Sequence, residues 1–264
     1  MIIKSILFAF GLSIILSDFV LVEQKLTDAS DFSLDELGNL YLIHDTFIQR
    51  INANGGHTFR TSELNSGNIE YFDVTNPLKP FIHYRSQGKI VVFDNTLSEQ
   101  GRVDLFEKGL GQIEMVCGSR GDAYWMWDSR NSEMIRVDQN FNKLASTGNI
   151  STLTGMQIEP TQILERGSQL YLRDPIHGIV IFDVYGSYRT TLKILTTSDI
   201  QVFSDEIIYH EGSVLNVVGK DLISVMTMSL PIEKSYRVQY FNQRLYTLAD
   251  GVLSTWKPKE NVRN

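Results

Sequence analysis

Short apolar runs alternate with polar turns along the chain. The stretch "KIVVFDNTLSEQGRVDL", Lys89 to Leu105, shows the unit: an apolar strand, an Asp, a polar turn and a second, alternating strand. The same order returns in "FIQRINANGGHTFRTS" from Phe47, "EMIRVDQNFNKLAST" from Glu133 and "GIVIFDVYGSYRTTL" from Gly178. Alternation of apolar and polar residues predicts half-buried sheet, and the Gly, Asn, Asp and Ser clusters between the runs predict turns. Two sets of bulky apolar anchors keep step with each other. Tyr41, Phe81, Tyr124, Tyr171, Leu215 and Tyr246 form the first set. Ile51, Phe93, Val137, Phe182, Met226 and Trp256, one strand later, form the second. Both recur roughly every 42 residues, a period typical of stacked repeat units. Sustained helical periodicity is lacking beyond the N-terminal segment. "DLFEKGLGQIEM" has room for one helical turn, which Gly109 and Gly111 interrupt.

A unit of this length with three or four strands is a propeller blade. One such sheet alone exposes two apolar faces, and radial stacking buries both. The expected fold is therefore all-β: a six-bladed β-propeller over residues 18–264, with the N-terminal strand closing the last blade. The last unit lacks an outer strand, and "FVLVEQKL" (Phe19 to Leu26) has no blade of its own, so pairing them would satisfy two open edges. Asp94, Asp138 and Asp183 each follow an apolar strand and are expected to cap it through side-chain-to-backbone bonds.

Composition adds compartment and partner class. With 42% hydrophobic and 21% charged residues, the 264-residue chain is of ordinary globular make-up. Its net charge of −7 argues against nucleic-acid binding and against adhesion to anionic lipid by charge. "MIIKSILFAFGLSIILS", residues 1–17, has one Lys and then an apolar run too short to span a bilayer comfortably. It reads as a signal peptide, hence an exported, periplasmic protein with no direct membrane insertion once the leader is removed. The single Cys117 cannot form an internal disulfide and lies in the apolar "IEMVCGS", so it is expected to be packed and unreactive.

The search for chemistry yields little. His44, His57, His83, His177 and His210 show no metal-ligand spacing, although His44 and His83 lie at corresponding places and could face a central channel. His177, in the turn "DPIHGI", reads as solvated. Asp45, Asp128 and Asp174 are the carboxylates nearest to what a calcium-dependent propeller hydrolase would need, yet each sits where turn chemistry already explains an Asp. The aromatic "YWMWD", Tyr124 to Asp128, is a possible stacking platform for a glycan, with core as the main reading. "NIS" at Asn149 is a formal glycosylation triplet. No catalytic residue, metal or cofactor is expected.

One segment departs from the blade grammar. "TNPLKPF" places Pro77 and Pro80 where a strand begins, and Lys79 and Arg85 add positive charge on an acidic protein. Pro77, Lys79, Pro80 and Arg85 are the candidate partner-binding residues. The pattern from "DVTNPLKPF" to "VVFDNTLS", with the later "GIVIFDVYG", resembles a family of mostly uncharacterised exported bacterial six-bladed propellers. That resemblance implies an accessory subunit of an outer-membrane assembly, such as the plug-like accessory of a type 9 secretion translocon, with an outer-membrane barrel or translocon subunit as partner. The expected function is non-enzymatic protein–protein interaction. A metal-dependent, lactonase-like hydrolase acting in the channel and a glycan- or small-ligand-binding propeller are the alternatives.

Overall fold

The computed structural model describes residues 17–61, 67–231 and 237–260. The expected leader lies outside them apart from Ser17. Six four-stranded antiparallel sheets form a ring, the β-propeller that the repeat predicts. Residues 31–60, 71–104, 113–146, 162–192 and 201–229 make blades 1 to 5. Residues 237–258 supply three strands of blade 6, and its fourth is Phe19–Leu26. That strand runs antiparallel to Val252–Pro258, from Phe19 opposite Pro258 to Leu26 opposite Val252, with a bulge between Leu21 and Glu23. Asp18 ties the same strand to blade 5, its N–H donating to the Ser229 carbonyl at 3.0 Å and its carboxylate accepting from Ser229 N–H at 2.6 Å.

Burial follows position in the blade. The middle strands Ala123–Asp128 and Gly178–Asp183 are buried throughout. Outer strands such as Glu99–Asp104 are largely exposed. The core is divided among the blade interfaces. Tyr41, Ile43 and Ile48 of blade 1 pack on Phe72, Ile82 and Val91 of blade 2. Cys117, Trp125 and Trp127 of blade 3 meet Leu170, Val180 and Phe182 of blade 4, and Phe19 joins the cluster between blades 5 and 6. Each such apolar side chain contributes about 1.5–3 kcal/mol by leaving water, so every interface carries its own hydrophobic seam. All four residues Tyr124 to Trp127 are core. Cys117 is fully buried, and burial pushes its thiol well above the usual range.

The recurrent Asp residues cap strands as the sequence predicts. Asp94 accepts from Thr96 N–H and Ser98 N–H at 2.8 and 3.0 Å. Asp138 accepts from Asn140 and Asn142, both at 2.8 Å, and Asp183 from Tyr185 and Ser187, both at 2.9 Å. Each turn needs a residue with positive φ three places after the Asp: Leu97, Phe141 and Gly186. Asp35 does the same in blade 1, accepting from Leu37 and Asn39 at 2.9 Å, with Gly38 at φ +81°.

Two expectations are corrected. The anchors Leu215 and Met226 fall on the third and fourth strands of blade 5, one strand late, while the other blades keep register. The second strand of that blade, Glu206–Glu211, carries half-exposed Tyr209 and His210 and so hides its apolar signal. The helical turn is not in "DLFEKGLGQIEM". It is Ile150–Thr154, where Asn149 accepts from Thr152 N–H at 2.8 Å and Gly155 ends the helix in the left-handed region. Asn149, of the glycosylation triplet, is therefore a helix cap, and its Nδ2 also donates to the Asn131 carbonyl at 2.8 Å.

Candidate functional site

The first strands of the blades converge on the axis. They are Asp31–Leu34, Tyr71–Asp73, Ile113–Ser119, Gln162–Arg166, Gln201–Val202 and Arg237–Phe241. They surround a channel of about 390 Å³, lined among others by Asp31, Tyr71, Asp73, Glu165, Asp199 and Arg237. These strands range from the two residues Gln201–Val202 to the seven of Ile113–Ser119, and their inner edges have no further strand to pair with.

Side chains satisfy those edges by reaching across to the next blade. Gln162 of blade 4 donates through Nε2 to the Ile200 carbonyl at 3.1 Å and accepts from Ile200 N–H at 2.7 Å. Gln239 of blade 6 accepts from Leu34 N–H of blade 1 at 2.9 Å. Asp73 of blade 2 accepts from Gly118 N–H of blade 3 at 3.2 Å and from Thr75 N–H at 2.8 Å. Burial raises the Asp73 carboxyl, and those two N–H bonds oppose the shift. Glu165 of blade 4 reaches back into blade 3. It accepts from Ser119 Oγ at 2.5 Å, from Trp125 Nε1 at 2.9 Å and from Arg120 N–H at 3.2 Å.

At one mouth of the channel the fastening is ionic. Arg237 of blade 6 lies 3.3 Å from Asp31 of blade 1 and also bonds Asp199, just before blade 5. Arg173 of blade 4 reaches the other oxygen of Asp199 at 3.2 Å. Burial works against the Arg237 cation, and Asp31 and Asp199 outweigh it, holding the guanidinium above its usual range. Burial raises the Asp31 carboxyl, opposed by Arg237. One chain of charges thus spans blades 4, 5, 6 and 1. None of these fasteners was singled out in the sequence, although Gln162, Gln201 and Gln239 recur at nearly the blade repeat.

The residues expected to matter are placed as follows. Pro77 and Pro80 are buried at the base of the loop between the first two strands of blade 2. Lys79 projects from that loop and pairs with Asp122 at 2.5 Å. Arg85 lies at the other end of Phe81–Tyr84, hence on the opposite face of the disc, and pairs with Glu114 at 3.1 Å. Pro77, Lys79 and Pro80 therefore cluster, and Arg85 stands apart. Neither His44 nor His83 lines the channel. His44 stacks on Phe47 with centroids 4.0 Å apart, and His83 is buried in a second strand, where burial lowers its pKa to about 4. His177 is half-buried, with Nδ1 3.2 Å from Asp174. Asp174 accepts from Ile176, His177 and Glu159 N–H, and Asp128 from Asn131 N–H and Gln112 Nε2. Asp45 is exposed, and its carbonyl accepts from Ile69 N–H at 2.8 Å. Among the described residues no group of three or more His, Cys, Asp and Glu is placed to hold a metal ion.

Fold and axial geometry define a six-bladed β-propeller. No family model and no curated protein matches the sequence. Among solved structures, the chain is similar to virginiamycin B lyase from Staphylococcus aureus, at 10% identity and a TM-score of 0.57, covering 92% of this chain and 89% of that one. It is similar to a chain of the nidogen/laminin complex at 14% identity and a TM-score of 0.58, covering 76% and 79%. It is also similar to the Neurospora crassa Pan2 WD40 domain at 8% identity and a TM-score of 0.55, covering 92% and 96%. At such identities the likeness defines the fold alone.

Proposed function

We propose that this protein is a non-enzymatic propeller that mediates protein–protein contact, as an exported accessory subunit of a bacterial outer-membrane or periplasmic assembly such as a secretion translocon. The observation that carries the reading is the commitment of the axial side chains. Asp73, Glu165, Asp199 and Arg237, the groups with chemistry to offer, are bonded to an adjacent blade. Bonds of that kind preorganise a disc with two large loop faces, and preorganisation lowers the entropic cost of docking. The likeness to a chain solved within the nidogen/laminin complex is in keeping with the reading.

The test is affinity purification of the full-length protein from native membranes, with mass spectrometry and with Lys79→Glu and Arg85→Glu in parallel. Those two positions lie on opposite faces, so the variant that loses the partner reports the face in use. A stoichiometric outer-membrane partner lost in one variant supports the proposal. No partner in any sample, or turnover of a lactone that Asp31→Asn abolishes, overturns it.

A further inference from the structure

The face that carries Lys79 also carries a groove of about 1030 Å³ over blades 3 to 5. It is built from turns: Arg120 between the first two strands of blade 3, Arg166 in the equivalent turn of blade 4, Phe203 in that of blade 5, with Tyr185, Arg189 and Lys220 near the turns between third and fourth strands. The whole chain has 31 acidic residues against 24 Lys and Arg, yet this groove gathers four cations around one carboxylate, Asp183.

That carboxylate is already engaged. One oxygen of Asp183 closes its turn through Tyr185 and Ser187 N–H, and the other takes Arg189 Nη2 at 2.7 Å. Arg166 meets Glu36 of blade 1 at 3.7 Å with both side chains about half exposed, a pairing that contributes little. Arg120 and Lys220 pair with no carboxylate among the described residues. Both are nevertheless held. The Arg120 backbone donates to Glu165 and accepts from Arg136 Nη2 at 2.7 Å, and Lys220 Nζ sits 5.3 Å from the Tyr171 ring centroid. Tyr185, 76% exposed, stands on the rim as an aromatic anchor.

We propose that this groove seats an acidic segment of a protein partner, a deepening that rests on the interaction function above. Guanidinium forks match carboxylates two bonds at a time, and three of the four cations are Arg. A short segment also fits the charge map better than a long polyanion. The groove is a positive island on a surface of net −7, which repels any uniformly charged polymer extending beyond it.

The experiment measures anisotropy of a fluorescein-labelled peptide of alternating Glu and Asp with one Phe, titrated with the full-length protein at low salt. Binding that weakens at least tenfold in Arg120→Glu/Lys220→Glu, weakens in the milder Arg120→Gln/Lys220→Gln, falls with added salt and is unchanged in Arg102→Glu supports the site. Arg102 is the control because it lies on an outer strand, paired with Glu99 at 2.5 Å. No binding by the parent protein, equal binding by the groove variants, or tighter binding of a heparin hexasaccharide than of the peptide overturns it. The membrane purification separates the two levels. A partner retained by the groove variants leaves the interaction function standing and removes the groove; peptide binding with no partner from membranes does the reverse.

Discussion

Gln201 grips the backbone of Tyr240 at two points. Its Oε1 accepts from Tyr240 N–H at 2.7 Å and its Nε2 donates to the Tyr240 carbonyl at 3.2 Å. A side-chain amide thus stands in for one residue of a neighbouring strand, and Gln162 treats Ile200 the same way one blade earlier. The edges at the axis are thereby satisfied by blades that share no sheet.

Glu165 is the acidic version of that fastener. Its three donors, Ser119 Oγ, Trp125 Nε1 and Arg120 N–H, are left without it if the carboxylate is removed. Glu165→Ala is expected to destabilise the protein by about 3 kcal/mol, and Glu165→Gln by about 1 kcal/mol, because buried donors without partners keep their desolvation penalty. Urea denaturation followed by tryptophan fluorescence checks the ranking.

His83 makes the fold sensitive to acid. It is 1% exposed, its Nε2 has no hydrogen-bond partner, and burial holds its pKa down to about 4 from 6.5. A depressed folded pKa contributes stability that is fully present above the unfolded value and is lost as pH falls. Stability should therefore decline from pH 6.5 to pH 4, by up to about 3 kcal/mol from this group. Tm measured from pH 7.5 to 4.5 should fall less steeply in His83→Leu than in the parent.

Gly186 reports on the packing of blade 4 against blade 3. At φ +89° it occupies a region that disfavours side chains, and a Cβ there would lie 2.5 Å from the Ser146 carbonyl oxygen. Gly186→Ala should cost about 2 kcal/mol or more. Gly121→Ala, at φ +71° with open space around the added methyl, should cost less. Thermal melts of the two variants give the comparison.

The architecture was legible because a buried middle strand must be apolar on both sides. "IVVF", "AYWMW" and "GIVIF" announce themselves, and their spacing counts the blades. The shortest of the innermost strands were not legible as strands. Tyr71–Asp73 has three residues and Gln201–Val202 two, too few for any period to show. Their polar residues look like loop, because the partner that makes them structural is a backbone some 38 or 39 residues away. The candidate patch failed to stay together for a similar reason. Lys79 and Arg85 are close in sequence, but the strand between them, Phe81–Tyr84, carries them to opposite faces. The groove cations Arg120, Arg166, Arg189 and Lys220 are scattered through the chain and meet only because their turns share one face.

Amide hydrogen exchange at Leu34, Gly118, Ile200 and Tyr240 tests the axial fastening most directly, since each of these N–H groups donates to a side chain of an adjacent blade. All four should exchange as slowly as amides inside the sheets, and Gln201→Ala should speed Tyr240 at least tenfold while leaving Gly118 unchanged. Fast exchange of these four amides in the parent protein, or a Tyr240 amide indifferent to loss of Gln201, would contradict the account.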